Sequence, residues 1–228
     1  MKGKLDIQST CEYIREQIIL HKIKPGERLT EQSICEELSI GRSTVRNALQ
    51  QLSQSGLVEI VPNAGARVSV FTKEQLKSLC TIKNDLEVYA FNRTSEYFLD
   101  KDFEEMYAIV EEEKVAIRNR DFLQYLRAVE EFHNYIVDKV GNEYLSMVFH
   151  NLSNSYSVYQ LLYDAFYEVR DDEFCTDYIH PKMIEAIRDR SSYKFQDLLD
   201  ELSVKILAYY DSKAGPVHSD QPYVGILF

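Results

Sequence analysis

The sequence predicts a mostly α protein in two parts: an N-terminal winged helix-turn-helix, then an all-α body. Three observations predict it. Three short helical periods give way after Gly56 to alternation of period two, the order of a three-helix head with a β-ribbon. Between Gly65 and Pro181 there is no proline and a single glycine, Gly141, in a stretch rich in Leu, Glu, Tyr and Ala, so the helices there are long. Charge is uneven: residues 1–72 carry 9 Lys+Arg and 8 Asp+Glu, net +1, and residues 73–228 carry 17 and 29, net −12, which together give the chain's −11. A near-neutral head on an acidic body points to two domains with different partners. The expected division is 1–72, 73–214, and a tail over 215–228, irregular or disordered.

In the head, Ile7, Cys11, Ile14 and Ile18 recur at three and four and predict a helix from Ile7 to Leu20. Lys24-Pro25-Gly26 makes a turn. Thr30 is placed to cap a second helix, with Glu31 in its first turn where the helix dipole favours an acid. Ile34 and Leu38 share one face of it. Ser39-Ile40-Gly41 breaks the chain, and a third helix runs from about Arg42 to Ser53 on a stripe of Val45, Ala48, Leu49 and Leu52. Gly56 suits its C-terminal cap. Leu57–Val61 and Arg67–Val70 then alternate as two strands, joined by Pro62-Asn63-Ala64-Gly65. The short helix, the glycine-containing turn and the third helix form a helix-turn-helix, and the ribbon is its wing.

The third helix carries the chemistry. Arg42 and Arg46 lie one turn apart on the face opposite the apolar stripe, and no acid occurs from Leu38 to Val58. Ser43, Thr44 and the open N–H groups of a helix start suit phosphate, and arginine suits guanine in a major groove. The same residues also fit a merely solvated helix face.

The stretch from Ile23 to Val68 resembles the DNA-binding domain of the GntR family of bacterial transcription regulators. It carries PG-x-x-L, G-R-x-x-V-R, A-L-x-x-L, S-G-L-V and G-A-R-V in order. The resemblance implies operator contacts by Arg42, Ser43, Thr44 and Arg46, with Asn63 and Gly65 at a wing tip that reaches the minor groove. Two departures lower the expected phosphate contacts: Ala64 stands where members often have a basic residue, and Gln32 where some have arginine.

For the body, the pattern predicts helices at about 73–97, 101–118, 121–140, 143–166, 178–189 and 192–213, with an irregular stretch over 162–175. Tyr156, Tyr159, Tyr163 and Phe166-Tyr167 follow helical spacing, as a core stripe or as the wall of a ligand pocket. Lys83-Asn84-Asp85-Leu86-Glu87, Phe132-His133 with Gly141-Asn142, and His180 followed by Ile184, Ala186 and Ile187 resemble the FCD domain of the FadR-like GntR subfamily. That domain is an antiparallel helical bundle around a pocket that takes small carboxylates, and in many members a divalent metal. The resemblance maps two metal-ligand positions onto His133 and His180. The other two fall on Val129 and near Leu202, which coordinate nothing, so no metal is required and no cofactor is expected. His150, Glu130 or Glu131 are the available substitutes. Pro181 is expected to push His180 out of helical dihedrals. Lys83 stands where the family often anchors an effector carboxylate; an i,i+4 pair with Glu87 on a solvated face fits equally. Lys83, His133, His150 and His180 are the candidate effector residues.

Composition bounds the rest. The chain has 228 residues, 45% apolar and 28% charged, as in ordinary globular proteins. It has no apolar run near membrane-spanning length, a start too polar for a secretory signal, and four scattered cysteines with no CxxC. A cytoplasmic protein with reduced thiols is expected. The function expected is a non-enzymatic, homodimeric regulator, a repressor, that binds a double-stranded pseudo-palindromic operator and senses a small carboxylate. The alternatives are a metal sensor of the same fold, a helical-bundle metal-dependent enzyme, and an adapter whose head has lost DNA binding. No nucleophile–base spacing, phosphate loop or zinc motif supports the enzyme.

Overall fold

The structure, a computed structural model, describes residues 6–61, 65–163, 166–171 and 174–213. These form two compact units, one ending at Thr72 and one beginning at Lys73.

The first unit holds α1 (Ile7–Ile19), β1 (Arg28–Leu29), α2 (Glu31–Leu38), α3 (Arg42–Gln54), β2 (Val58–Val61) and β3 (Gly65–Val68). The Asp6 carboxylate caps α1 by accepting from the Ser9 amide at 2.8 Å, and Thr30 caps α2 by accepting from the Ser33 amide at 3.2 Å. Cys11, Ile14 and Ile18 of α1 and Val45, Ala48, Leu49 and Leu52 of α3 are buried together with Ile34, Leu57 and Val68. Gly56 follows α3 at φ 78°, the left-handed conformation that turns a helix end into a strand at no Cβ cost.

The ribbon of two strands becomes a sheet of three. Arg28 and Leu29 pair with Arg67 and Ala66, giving the order β1-β3-β2. Two residues are too few to show an alternating period, so β1 leaves no mark on the sequence. The second wing strand starts at Gly65 rather than Arg67, because Gly65 already pairs with Val61. Pro62, Asn63 and Ala64 lie outside the described residues, as do Asp172, Glu173 and the tail 215–228.

The second unit is a bundle of α4 (Lys73–Thr94), α5 (Asp100–Asn119), α6 (Phe122–Asp138), α7 (Glu143–Tyr163), α8 (Thr176–Arg188) and α9 (Ser192–Lys213), with a 3-10 turn at Ser95–Tyr97. Short turns reverse the chain between neighbours, so α5 packs on α6 and α8 on α9. Phe91, Phe132, Phe149 and Phe195 sit at the centre, each at most 2% exposed. Burial of that kind contributes about 1.5–3 kcal/mol per side chain.

One expectation is corrected here. Helix α8 begins at Thr176 and runs through Pro181, with His180 inside it. Proline at this depth removes one backbone bond, yet Ile179, Met183, Ile184 and Ile187 bury the helix against the core. That packing outweighs the local preference of a residue before proline.

Candidate functional site

The head presents an open groove of about 470 Å³ whose walls include Arg42, Arg46 and Gln50 of α3, Gln32 of α2, Arg28 of β1 and Gly65 of β3. Gly41 caps α3 without a side-chain bond, so no hydroxyl or carboxylate covers the first-turn amides. Arg42, Ser43 and Arg46 are exposed and Thr44 half-buried, while Val45, Ala48 and Leu49 face the core. One partner was hidden from the sequence. Glu31, fifteen residues before Arg46, receives its guanidinium in a two-bond pair, Nε to Oε1 at 2.9 Å and Nη2 to Oε2 at 3.0 Å. The Arg46 bond holds the Glu31 carboxyl below the usual range. On the wing, Arg67 pairs with Glu59 at 2.7 Å across the β2–β3 register. Gly65 has φ 89°, and its Cα approaches the Arg28 guanidinium closely enough that an added Cβ would lie 3.9 Å from Nε. Asn63 is outside the described residues.

In the body, His133 of α6 and His180 of α8 meet edge to face, ring centroids 5.1 Å apart. Each Nδ1 donates to a buried glutamate: His133 to Glu87 of α4 at 2.7 Å, and His180 to Glu113 of α5 at 2.7 Å. His180 also stacks on Phe132, centroids 4.2 Å apart, and its Nε2 and Glu113 Oε1 are buried with no hydrogen-bond partner. Burial pushes the His133 imidazole below its ordinary value, outweighing the upward pull of Glu87. His133 is therefore neutral near pH 7, with a lone pair at Nε2.

Lys83 is not on a solvated face with Glu87. Both are buried, and Glu87 turns to His133 instead. The Lys83 ammonium donates to Ser153 Oγ at 2.8 Å and lies 3.9 Å above the Phe149 ring. Burial lowers its pKa, with Glu87 pulling the other way. His150 stands apart, about two-fifths exposed and 3.1 Å from Asp138.

A small cavity of about 40 Å³ opens beside His133, walled by Tyr125, Val129, Tyr156, Gln160, Thr176 and Leu202 among others. Of the four effector candidates, only His133 lines it. Tyr125, Gln160 and Thr176 leave no mark on the sequence, because their spacing along three helices carries no local signal. Val169 and Phe174 also line it, and Arg120 holds the stretch that carries Val169. Its guanidinium donates to the carbonyls of Phe166 at 3.0 Å and Val169 at 2.8 Å and pairs with Asp171 at 2.8 Å.

The residues present do not fit a bound metal. Val129 and Leu202 face the same cavity as His133 and offer it no donor. Among the described residues no group of three or more His, Cys, Asp or Glu could hold an ion. Two imidazoles whose Nδ1 atoms are already engaged are too few.

The chain matches two family models: bacterial regulatory proteins, gntR family, over residues 7–68, and the FCD domain over residues 79–203. It is 26% identical over 151 residues to the gluconate operon transcriptional repressor of Bacillus licheniformis, covering 66% of this chain and 61% of that one. It is 21% identical over 129 residues to the HTH-type transcriptional repressor RspR of Escherichia coli K12, covering 57% of each. The chain thus spans about three-fifths of the length of the curated relatives it matches. The fold is shared with E. coli McbR/YncC, at TM-score 0.63 and 20% identity over 90% of this chain and 97% of that one. It is shared too with a GntR regulator of Rhodococcus sp. RHA1, at TM-score 0.64 and 20% identity over 89% and 97%. No described helix is long and apolar enough to cross a membrane. The two models cover the head and most of the body in order, and the chain belongs to the gntR family of bacterial regulatory proteins, in its FCD-domain branch, a family of transcriptional regulators and not of enzymes.

Proposed function

We propose that this protein is a cytoplasmic, homodimeric repressor whose unit 1–72 binds a pseudo-palindromic operator and whose unit 73–214 binds a small organic acid. One observation carries the DNA reading: Arg42, Ser43, Thr44 and Arg46 project from the start of α3 beside the wing groove, with the apolar stripe turned inward. A helix presented in that way suits a major groove, its arginines reading base edges and its hydroxyls and amides holding phosphate. Asn63 and Gly65 would place the wing on the adjacent backbone. A single head of net +1 binds weakly, so two heads on two half-sites are needed for useful affinity. Exposed Tyr144, Met147 and Val148 on α7 supply apolar surface suited to a second copy.

In the body, His133 is the residue placed to meet an effector, and Lys83 and His180 support the polar core behind it. A cavity of about 40 Å³ holds a water or two, whereas ligand sites run to hundreds of Å³. Effector binding must therefore widen the bundle, and that change is what would alter DNA affinity. A gel shift on the DNA upstream of the protein's own gene tests the reading. Wild-type protein should retard it, and Arg42→Ala should not at physiological salt. Sedimentation at micromolar concentration should give twice the mass of the 26.6 kDa chain.

A further inference from the structure

Two arginines stand directly opposite each other in the wing sheet. Arg28 of β1 is in register with Arg67 of β3. Like charges in that position destabilise a sheet unless one is neutralised. Glu59 neutralises Arg67, pairing with it at 2.7 Å from the far side of β3. Arg28 receives no such partner: among the described residues no carboxylate lies within ion-pair distance of it. Its side chain is exposed and runs beside Gly65 on the wing wall of the groove.

Arg46 is taken up by Glu31, and Gln32 and Gln50 are neutral. Arg42 forms no direct ion pair among the described residues, although its charge reaches Glu31. The groove's two arginines without an ion pair among the described residues are therefore Arg42 on α3 and Arg28 at the base of the wing.

The geometry points to Arg28 as a further DNA-binding residue, which grips a backbone phosphate on the wing side of the groove while the start of α3 occupies the base edges. This rests on the DNA reading above. Arg28 lies beside Gly65 on the wing side of the groove, so its contact is to phosphate and not to a base. It supplies one counterion-releasing contact per protomer, the same for every sequence.

The test uses the full chain and a duplex of about 30 base pairs selected by wild-type protein from a random pool, with a scrambled duplex beside it. Affinities are measured over a range of KCl for wild type, Arg28→Ala, Arg28→Lys and Arg42→Ala. Arg28→Ala should weaken both duplexes alike, by about three- to tenfold near ~100 mM salt, and lower the slope of log K against log salt by about one per protomer. Arg28→Lys should restore the slope, since a phosphate accepts a point charge. Arg42→Ala should instead cut binding to the selected duplex more than to the scrambled one. Wild-type affinity and slope in Arg28→Ala, with Arg42→Ala impaired, overturn the assignment alone. An Arg28→Lys variant as weak as Arg28→Ala with the wild-type slope overturns it too, because that is a packing role. A wild-type protein that selects no duplex overturns the DNA reading and the Arg28 contact together.

Discussion

Arg46 and Glu31 are locked plane to plane by two bonds of 2.9 and 3.0 Å across the helix-turn-helix. The pair is exposed, so it adds little to stability. It does two other things. It fixes the direction of a guanidinium that would otherwise sample many rotamers, and it places a negative charge in the groove. Glu31→Gln should therefore strengthen binding to scrambled DNA a few-fold and steepen its salt dependence, while lowering the ratio of selected to scrambled affinity. Competition gel shifts read both. A variant that loses affinity for both duplexes alike would show that the carboxylate does not act in this way.

Arg42→Ala and Arg46→Ala should each weaken specific binding by roughly tenfold or more. Thermal unfolding should stay at the wild-type temperature for Arg42→Ala, whose side chain is exposed and forms no direct ion pair among the described residues. Unchanged operator affinity in both variants would end the α3 assignment.

Stability should fall with acid through His133. Its folded pKa is depressed, first by burial, so the unfolded chain binds the proton more readily. The linked stability is complete above the unfolded value of about 6.5 and is lost as pH falls toward the folded value. His133→Gln keeps a donor for Glu87 and removes the titration. It should flatten the dependence of unfolding temperature on pH between about 6.5 and 5.

The same imidazole fixes the sign of an effector effect. Its Nδ1–H is committed to Glu87, so Nε2 offers a lone pair, which repels a carboxylate. An organic anion at that atom must bring or recruit a proton. Any small carboxylate that raises the unfolding temperature should bind more tightly as pH falls from 7 to 6. Calorimetry in buffers of different ionisation enthalpy should show proton uptake on binding. Proton release would place the anion elsewhere.

The Glu113–His180 couple joins α5 to α8 with both side chains at most 1% exposed. Glu113→Ala leaves the imidazole's Nδ1–H without an acceptor in the core and should cost about 3 kcal/mol. Glu113→Leu combined with His180→Phe should recover most of that loss. Urea unfolding measures the series, and a cost in Glu113→Ala below about 1 kcal/mol would show that the core relaxes around the gap.

Much of this was legible in the residues themselves. The α3 stripe and its two arginines are one period on one helix, and the body helices are long runs without breakers. What the sequence hid is what lies far apart along the chain. Glu31 meets Arg46 only after the turn folds α2 back on α3, and Glu87 chooses His133 over the nearer Lys83 because the bundle buries all three. Local rules misled at His180, where core packing holds a helix through Pro181, and at Arg28, whose strand of two residues exists only by pairing with β3.

Tyr156, Tyr159 and Tyr163 rise along α7 with ring centroids 6.1 and 5.3 Å apart, and Tyr210 of α9 closes the ladder at 6.0 Å from Tyr159 and 5.1 Å from Tyr163. The chain contains no tryptophan to drain their excitation. Rings this near couple their electronic transitions, and the coupling varies steeply with separation and tilt. Tyr156 is also a wall of the cavity. Widening of that cavity would therefore be written directly into the near-ultraviolet circular dichroism of the untouched protein, and the molecule carries its own optical gauge of the space between α7 and α9.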